Sequence, residues 1–133
     1  GKITTLGSPD LHIVASTPSS NSSLSGTDYT QTGATTFGSV TMANFSGANT
    51  TYTDITLNAS GLAAVSKGTW ARSKFGVRTS WDLDNSFGGT WASGAIASFE
   101  IRFADQADTT NDPKLVVVHA VAASANHWLL MGV

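Results

Sequence analysis

The chain has 133 residues, no cysteine, 12 % charged residues and a formal net charge of −2. That length suits one domain with a core of its own, and the missing cysteine removes disulfides, thiolate catalysis and Cys-based zinc sites. The seven basic residues are scattered rather than gathered into a stripe, which gives no electrostatic footprint for nucleic acid, and no apolar run approaches the ~20 residues that span a bilayer.

A hydrophobic content of 41 % with mean hydropathy near zero argues for a folded chain, because disordered chains are poorer in apolar residues and richer in charge. Ser and Thr supply about a quarter of the residues, well above ordinary usage. A neutral, hydroxyl-rich, lysine-poor surface points to an extracellular setting.

Asp10-Leu-His-Ile-Val-Ala reads as a strand ended by Thr17-Pro18. Residues 16–36 follow as a long polar connection, which Leu24 and Tyr29 are expected to pin to the body. Phe37 to Met42 and Tyr52 to Leu57 read as two more strands, with a bulge in the second. Asn58-Ala-Ser-Gly-Leu-Ala-Ala-Val-Ser-Lys-Gly reads as one short helix near residues 60–67, capped by Ser60 and ended by Gly68.

Three later runs alternate apolar and polar residues between turn-rich spacers, the pattern of half-buried antiparallel strands. Lys74 to Ser80 places Phe75, Val77 and Thr79 on one face. Ser98 to Phe103 places Phe99, Ile101 and Phe103 on one face, with Glu100 expected to pair with Arg78 or Arg102. Lys114 to Val121 is continuously apolar. Phe75, Val77, Phe99, Ile101, Phe103 and Leu115 are expected to share a core. About seven strands and one helical segment predict a single all-β domain over residues 1–133, an antiparallel sandwich of jelly-roll rather than immunoglobulin type.

The succession Tyr52-Thr-Asp-Ile-Thr-Leu-Asn-Ala-Ser-Gly-Leu, Lys74-Phe-Gly-Val-Arg, Phe103-Ala-Asp-Gln and Asp112-Pro-Lys-Leu-Val-Val resembles the DNRLRE / disaggregatase-related jelly-roll modules. These recur in secreted bacterial and archaeal proteins and in phage tail or virion proteins. The resemblance spans about residues 10–120, and its motifs mark framework rather than activity. It implies a non-catalytic module, some members of the group being similar to carbohydrate-binding modules. Such modules usually open with a further apolar strand, of which Gly1-Lys-Ile-Thr-Thr-Leu is at best a short remnant, so the resemblance implies a truncated first strand and an open edge that another chain can pair with. The apolar tail of residues 122–133, with His127, Trp128, Leu129, Leu130 and Met131, is the expected assembly segment, so a homo-oligomer or a larger extracellular assembly is the expected partner.

The loop Trp81-Asp-Leu-Asp-Asn-Ser-Phe-Gly-Gly-Thr-Trp91 holds the main candidate site. Indole faces stack on sugar rings while carboxylates and amides hydrogen-bond hydroxyls, so Trp70, Trp81, Asp82, Asp84 and Trp91 are the candidate polysaccharide contacts. The competing reading makes the tryptophans a plug for the end of the sandwich and the Asp and Asn side chains turn caps.

Asp82, Asp84 and Asn85, like Asp105, Asp108 and Asp112, also offer oxygen ligands to calcium. The first run lacks the glycine and bidentate glutamate of an EF-hand loop, and turn chemistry is the preferred reading of both, so no cofactor is expected. His12, His119 and His127 have no metal-ligand spacing. With one glutamate and no Gly-x-Ser-x-Gly nucleophile turn, no enzyme is expected. Two functions stand at this point: an extracellular structural or attachment subunit of a virion, tail or cell-surface assembly, and a carbohydrate-binding module.

Overall fold

The computed structural model describes residues 2–4, 6–23, 25–46, 51–69, 71–101 and 112–118. Leu24, Trp70, Arg102, Phe103, Asp105, Asp108, His119 and the tail 119–133, with its assembly residues His127 to Met131, lie outside the described residues. Backbone contacts divide the chain into two units, Gly1–Ile101 and Arg102–Val133.

The first unit is β-rich. Its strands are β1 (Lys2–Thr4), β2 (Leu11–Ser16), β3 (Thr32–Val40), β4 (Phe75–Thr79) and β5 (Ala97–Phe99), with two short helices, α1 (Ala59–Ala64) and α2 (Ser80–Leu83), and 3-10 turns at Gly26–Gln31 and Met42–Asn44. The order β3-β2-β4 forms a three-stranded antiparallel sheet, and β1 pairs with β5 in a separate two-stranded ladder. The ladder continues beyond its strands, because Leu6 N–H donates to Ile96 O at 3.2 Å and Thr90 N–H to Leu6 O at 2.9 Å.

β2 is the centre of the larger sheet. Leu11 pairs with Val40 on one side and Thr79 on the other, and Ile13 with Gly38 and Val77. The register with β3 shifts between Ile13 and Val14, where Val14 opposes Thr36 and Phe37 is passed over. A bulge of this kind re-aims side chains, and it is why buried residues in β2 fall at Leu11 and Val14 rather than in strict alternation. Val14, Met42, Leu11, Phe37 and Val40 form the core at 0–8 % exposure, each contributing about 1.5–3 kcal/mol by leaving water.

This core differs from the expected one. Val77 is 41 % exposed and Ile101 36 %, because burial in the first unit concentrates where β2 is covered by β3 and its flanking segments, and Leu115, in the second unit, is 60 % exposed. Phe75 joins through an edge-on contact with Phe37, ring centroids 6.1 Å apart. Phe99 instead packs edge-on against Phe45 at 5.0 Å, in a satellite cluster beside β5. Satellite clusters of this sort stabilise an element without entering the main core.

Other boundaries also move. β3 begins at Thr32, inside the stretch expected to be loop, because backbone pairing of Ser16 with Thr32 needs no apolar side chain. Residues 52–58 join no ladder, although burial alternates along them, with Thr53, Ile55 and Leu57 turned inward. Asn58, not Ser60, caps α1: its Oδ1 accepts from Gly61 N–H at 3.0 Å while its Nδ2 donates to Thr36 O at 2.8 Å. The helix ends at Ala64, before Gly68. The loop after β4 opens with the extra helical turn α2, whose Thr79 cap accepts from Asp82 N–H.

In the second unit, residues 112–118 belong to no helix or strand, and Leu115, Val116, Val117 and Val118 are 59–94 % exposed.

Candidate functional site: the aromatic loop and its clasp

The loop that follows β4 splits its aromatic residues into two roles. Trp81, on α2, is half-buried. Two glycines lie directly against its indole. A Cβ on Gly7 would stand 3.0 Å from Cζ2, and one on Gly88 would stand 2.9 Å from Nε1. Gly7 also holds φ at +143°, a conformation that side-chain-bearing residues rarely adopt. Trp81 is therefore packed closely against the backbone of Gly7 and Gly88.

Phe87 packs edge-on against Trp81 at 4.8 Å, and Trp91 packs edge-on against Phe87 at 5.9 Å. The ladder runs outward: Phe87 is 48 % exposed and Trp91 81 %. An indole this open has a face free for a flat apolar partner, such as a sugar ring.

Backbone bonds brace the loop that carries it. Ser86 N–H donates to Trp81 O at 3.0 Å, Thr90 N–H to Leu6 O, and Ala95 N–H to Ala92 O at 3.1 Å. Asn85 and Gly94 supply the positive φ values, 47° and 76°, that its turns require.

The two candidate acids also separate. Asp84 is exposed at the C-terminal cap of α2. Asp82 is turned inward to a clasp, where Oδ1 accepts from the Tyr29 hydroxyl at 2.6 Å and Oδ2 from Arg78 Nε at 2.5 Å. Arg78 also donates from Nη2 to Asp82 O and from Nη1 to Gly33 O. The guanidinium thus points at α2 and the start of β3.

The protonation behaviour follows from the contacts. The Arg78 hydrogen bond, with that of Tyr29 second, holds the Asp82 carboxyl below the usual carboxylate range. The bond to the Asp82 carboxylate raises the Tyr29 phenol, since ionisation would place two negative charges together. The Arg78 guanidinium is raised, chiefly by the same carboxylate.

Tyr29, expected as a pin for the 16–36 stretch, performs that role through this bond. Trp70, the remaining candidate contact, lies outside the described residues. Among the described residues, no three or more His, Asp or Glu side chains converge as a metal-ligand group, and no helix is long and apolar enough to cross a membrane.

One feature has no sequence motif behind it. A surface pocket of about 540 Å³, largely open to solvent, lies between the Ser-rich segment 16–23 and the segment 72–75, with Arg72 and Lys74 in its lining. Arg72 and Lys74 stand two apart in the chain, a spacing that places side chains on one side of an extended backbone, but neither run suggests the other as its partner. Compared with known protein families, curated proteins and solved structures, the chain matches none.

Proposed function

We propose that this chain is a non-catalytic structural or attachment subunit of an extracellular assembly, such as a virion, a phage tail or a cell-surface structure. In this reading it is a jelly-roll module of the DNRLRE-like type and associates with further copies through strand edges and its apolar C-terminal tail. The observation that carries the reading is the exposure of Leu115, Val116, Val117 and Val118, at 60, 80, 59 and 94 %. Four consecutive apolar residues, three of them β-branched, have high strand propensity and lose about 1.5–3 kcal/mol each by remaining in water rather than being buried. Pairing with another copy would satisfy both preferences. Sedimentation analysis across a wide concentration range tests this. The chain is expected to form multimers that Val116→Lys with Val118→Lys, or deletion of residues 126–133, dissociates. A strictly monomeric particle at high concentration removes the basis for the reading.

A second reading, carbohydrate binding, is favoured by Trp91, an indole 81 % exposed on a loop held by backbone hydrogen bonds. Titration of tryptophan fluorescence with neutral and acidic polysaccharides tests it. Binding of a neutral polysaccharide that survives Trp91→Ala would exclude this platform. Attachment subunits that grip a glycan would combine both readings.

A further inference from the structure

We propose that the cavity between segments 16–23 and 72–75 is a binding site for a carboxylated saccharide, distinct from the Trp91 platform and independent of self-association. Its volume of about 540 Å³ falls within the roughly 300–1,000 Å³ of small-molecule sites.

The charge of the lining is reversed relative to the chain. The protein carries a net −2, yet Arg72 and Lys74 both line the cavity and none of the described lining residues is acidic. The Arg72 guanidinium has no side-chain partner among the described residues. Its planar fork of donors matches a carboxylate in a bidentate contact. Lys74 Nζ donates to Pro18 O at 3.2 Å, which leaves two of its three donors.

The opposite wall is hydroxylated. Ser20 Oγ accepts from the backbone N–H groups of Ser22 and Ser23, at 3.2 and 3.0 Å, which holds the turn and leaves the Ser20 O–H to donate. The Ser22 hydroxyl and the Asn21 amide also line the cavity without a side-chain partner among the described residues. Phe75 contributes an aromatic surface.

Both walls are anchored. Ser16 N–H donates to Lys74 O at 3.3 Å, while Ser66 donates from its N–H to Ser73 Oγ at 2.8 Å and from its Oγ to Arg72 O at 3.1 Å. Two cations, hydroxyl and amide groups on the facing wall and one aromatic surface match a sugar ring that bears a carboxylate.

The test is calorimetric titration of the full chain with trigalacturonate, with its methyl ester and with inorganic phosphate. The acid trimer is expected to bind and the uncharged ester to bind at least about tenfold more weakly. Arg72→Gln and Lys74→Gln are each expected to weaken the acid trimer about tenfold or more, the loss typical of a hydrogen bond to a charged group. Arg72→Gln carries the test if Lys74→Gln, which also releases Pro18, lowers the melting temperature. Trp91→Ala should leave this affinity unchanged, which separates the site from the aromatic platform.

Equal binding of acid and ester, no binding of the acid, or an Arg72→Gln variant of unchanged affinity each overturns the proposal. Phosphate binding as tightly as the trimer also overturns it, since the cavity would then recognise charge alone.

Discussion

The Tyr29 hydroxyl donates to Asp82 Oδ1 at 2.6 Å, joining residues 53 apart in the chain. With Arg78 on the other carboxylate oxygen, this bond ties the 3-10 turn at Gly26–Gln31 to α2 and to the edge of β4. It converts most of a long polar connection into a held element. It also occupies the carboxylate that directly follows Trp81 in the aromatic loop.

Asp82→Asn should lower stability by about 1 kcal/mol at neutral pH, a partly exposed pair being worth no more than that. The folded-state carboxyl is held below its ordinary value. Its contribution is therefore fully present above the unfolded value of about 4 and fades as pH falls through the lowered folded value. Thermal melts from pH 7 to pH 2 should show a shallower acid limb in the variant. Tyr29 acts in the opposite sense: its folded value is raised, so its contribution is present below about pH 10 and lost as pH rises through the raised value. A variant with the wild-type acid limb would show that the clasp is unformed in solution.

Trp81→Ala and Trp91→Ala should separate cleanly. Removing Trp81 vacates the space between Gly7, Gly88 and Phe87, and a loss of about 2 kcal/mol or more is expected on denaturant unfolding. Removing Trp91, 81 % exposed, should change stability by under about 0.5 kcal/mol while abolishing any fluorescence change on adding a neutral polysaccharide. Equal losses of stability would contradict the division of roles.

Gly61→Ala should be destabilising although the residue lies in a helix, where alanine ordinarily gains about 1 kcal/mol over glycine. A Cβ there would stand 2.8 Å from Phe37 O and 2.9 Å from Phe37 Cβ. Overpacking of this kind costs about 1–3 kcal/mol. A raised melting temperature would show that α1 is not seated on β3.

Asn58→Ala should cost about 1–2 kcal/mol, because the side chain both caps α1 and donates to Thr36 O. Asn58→Asp retains the cap acceptor and loses the donor, so its loss should fall between wild type and Asn58→Ala. Urea unfolding of the three proteins measures the order directly.

Local patterning made parts of the fold legible. The alternation before Thr17-Pro18 marks β2, the Lys74–Ser80 run marks β4, and Asn58 to Ala64 marks a helix, because period and capping chemistry act within a few residues. The first half of β3 was hidden, since Thr32 to Thr36 carries Ala34 as its one apolar residue and enters the sheet through backbone pairing with β2. Residues 52–58 erred in the other direction. Their alternation is real in burial, yet no ladder forms along them.

By itself the sequence determined a β-rich chain, the positions of its central strands, one short helix and an aromatic loop after β4. Tertiary structure decided which tryptophan of that loop is half-buried and which exposed, where the Asp82 carboxylate points, and that Arg72 and Lys74 face a serine-rich wall. Periodicity and turn chemistry are short-range properties written into neighbouring residues. Exposure and pairing depend instead on strand register and on close approaches between distant segments, such as Gly7 against Trp81 and Tyr29 against Asp82.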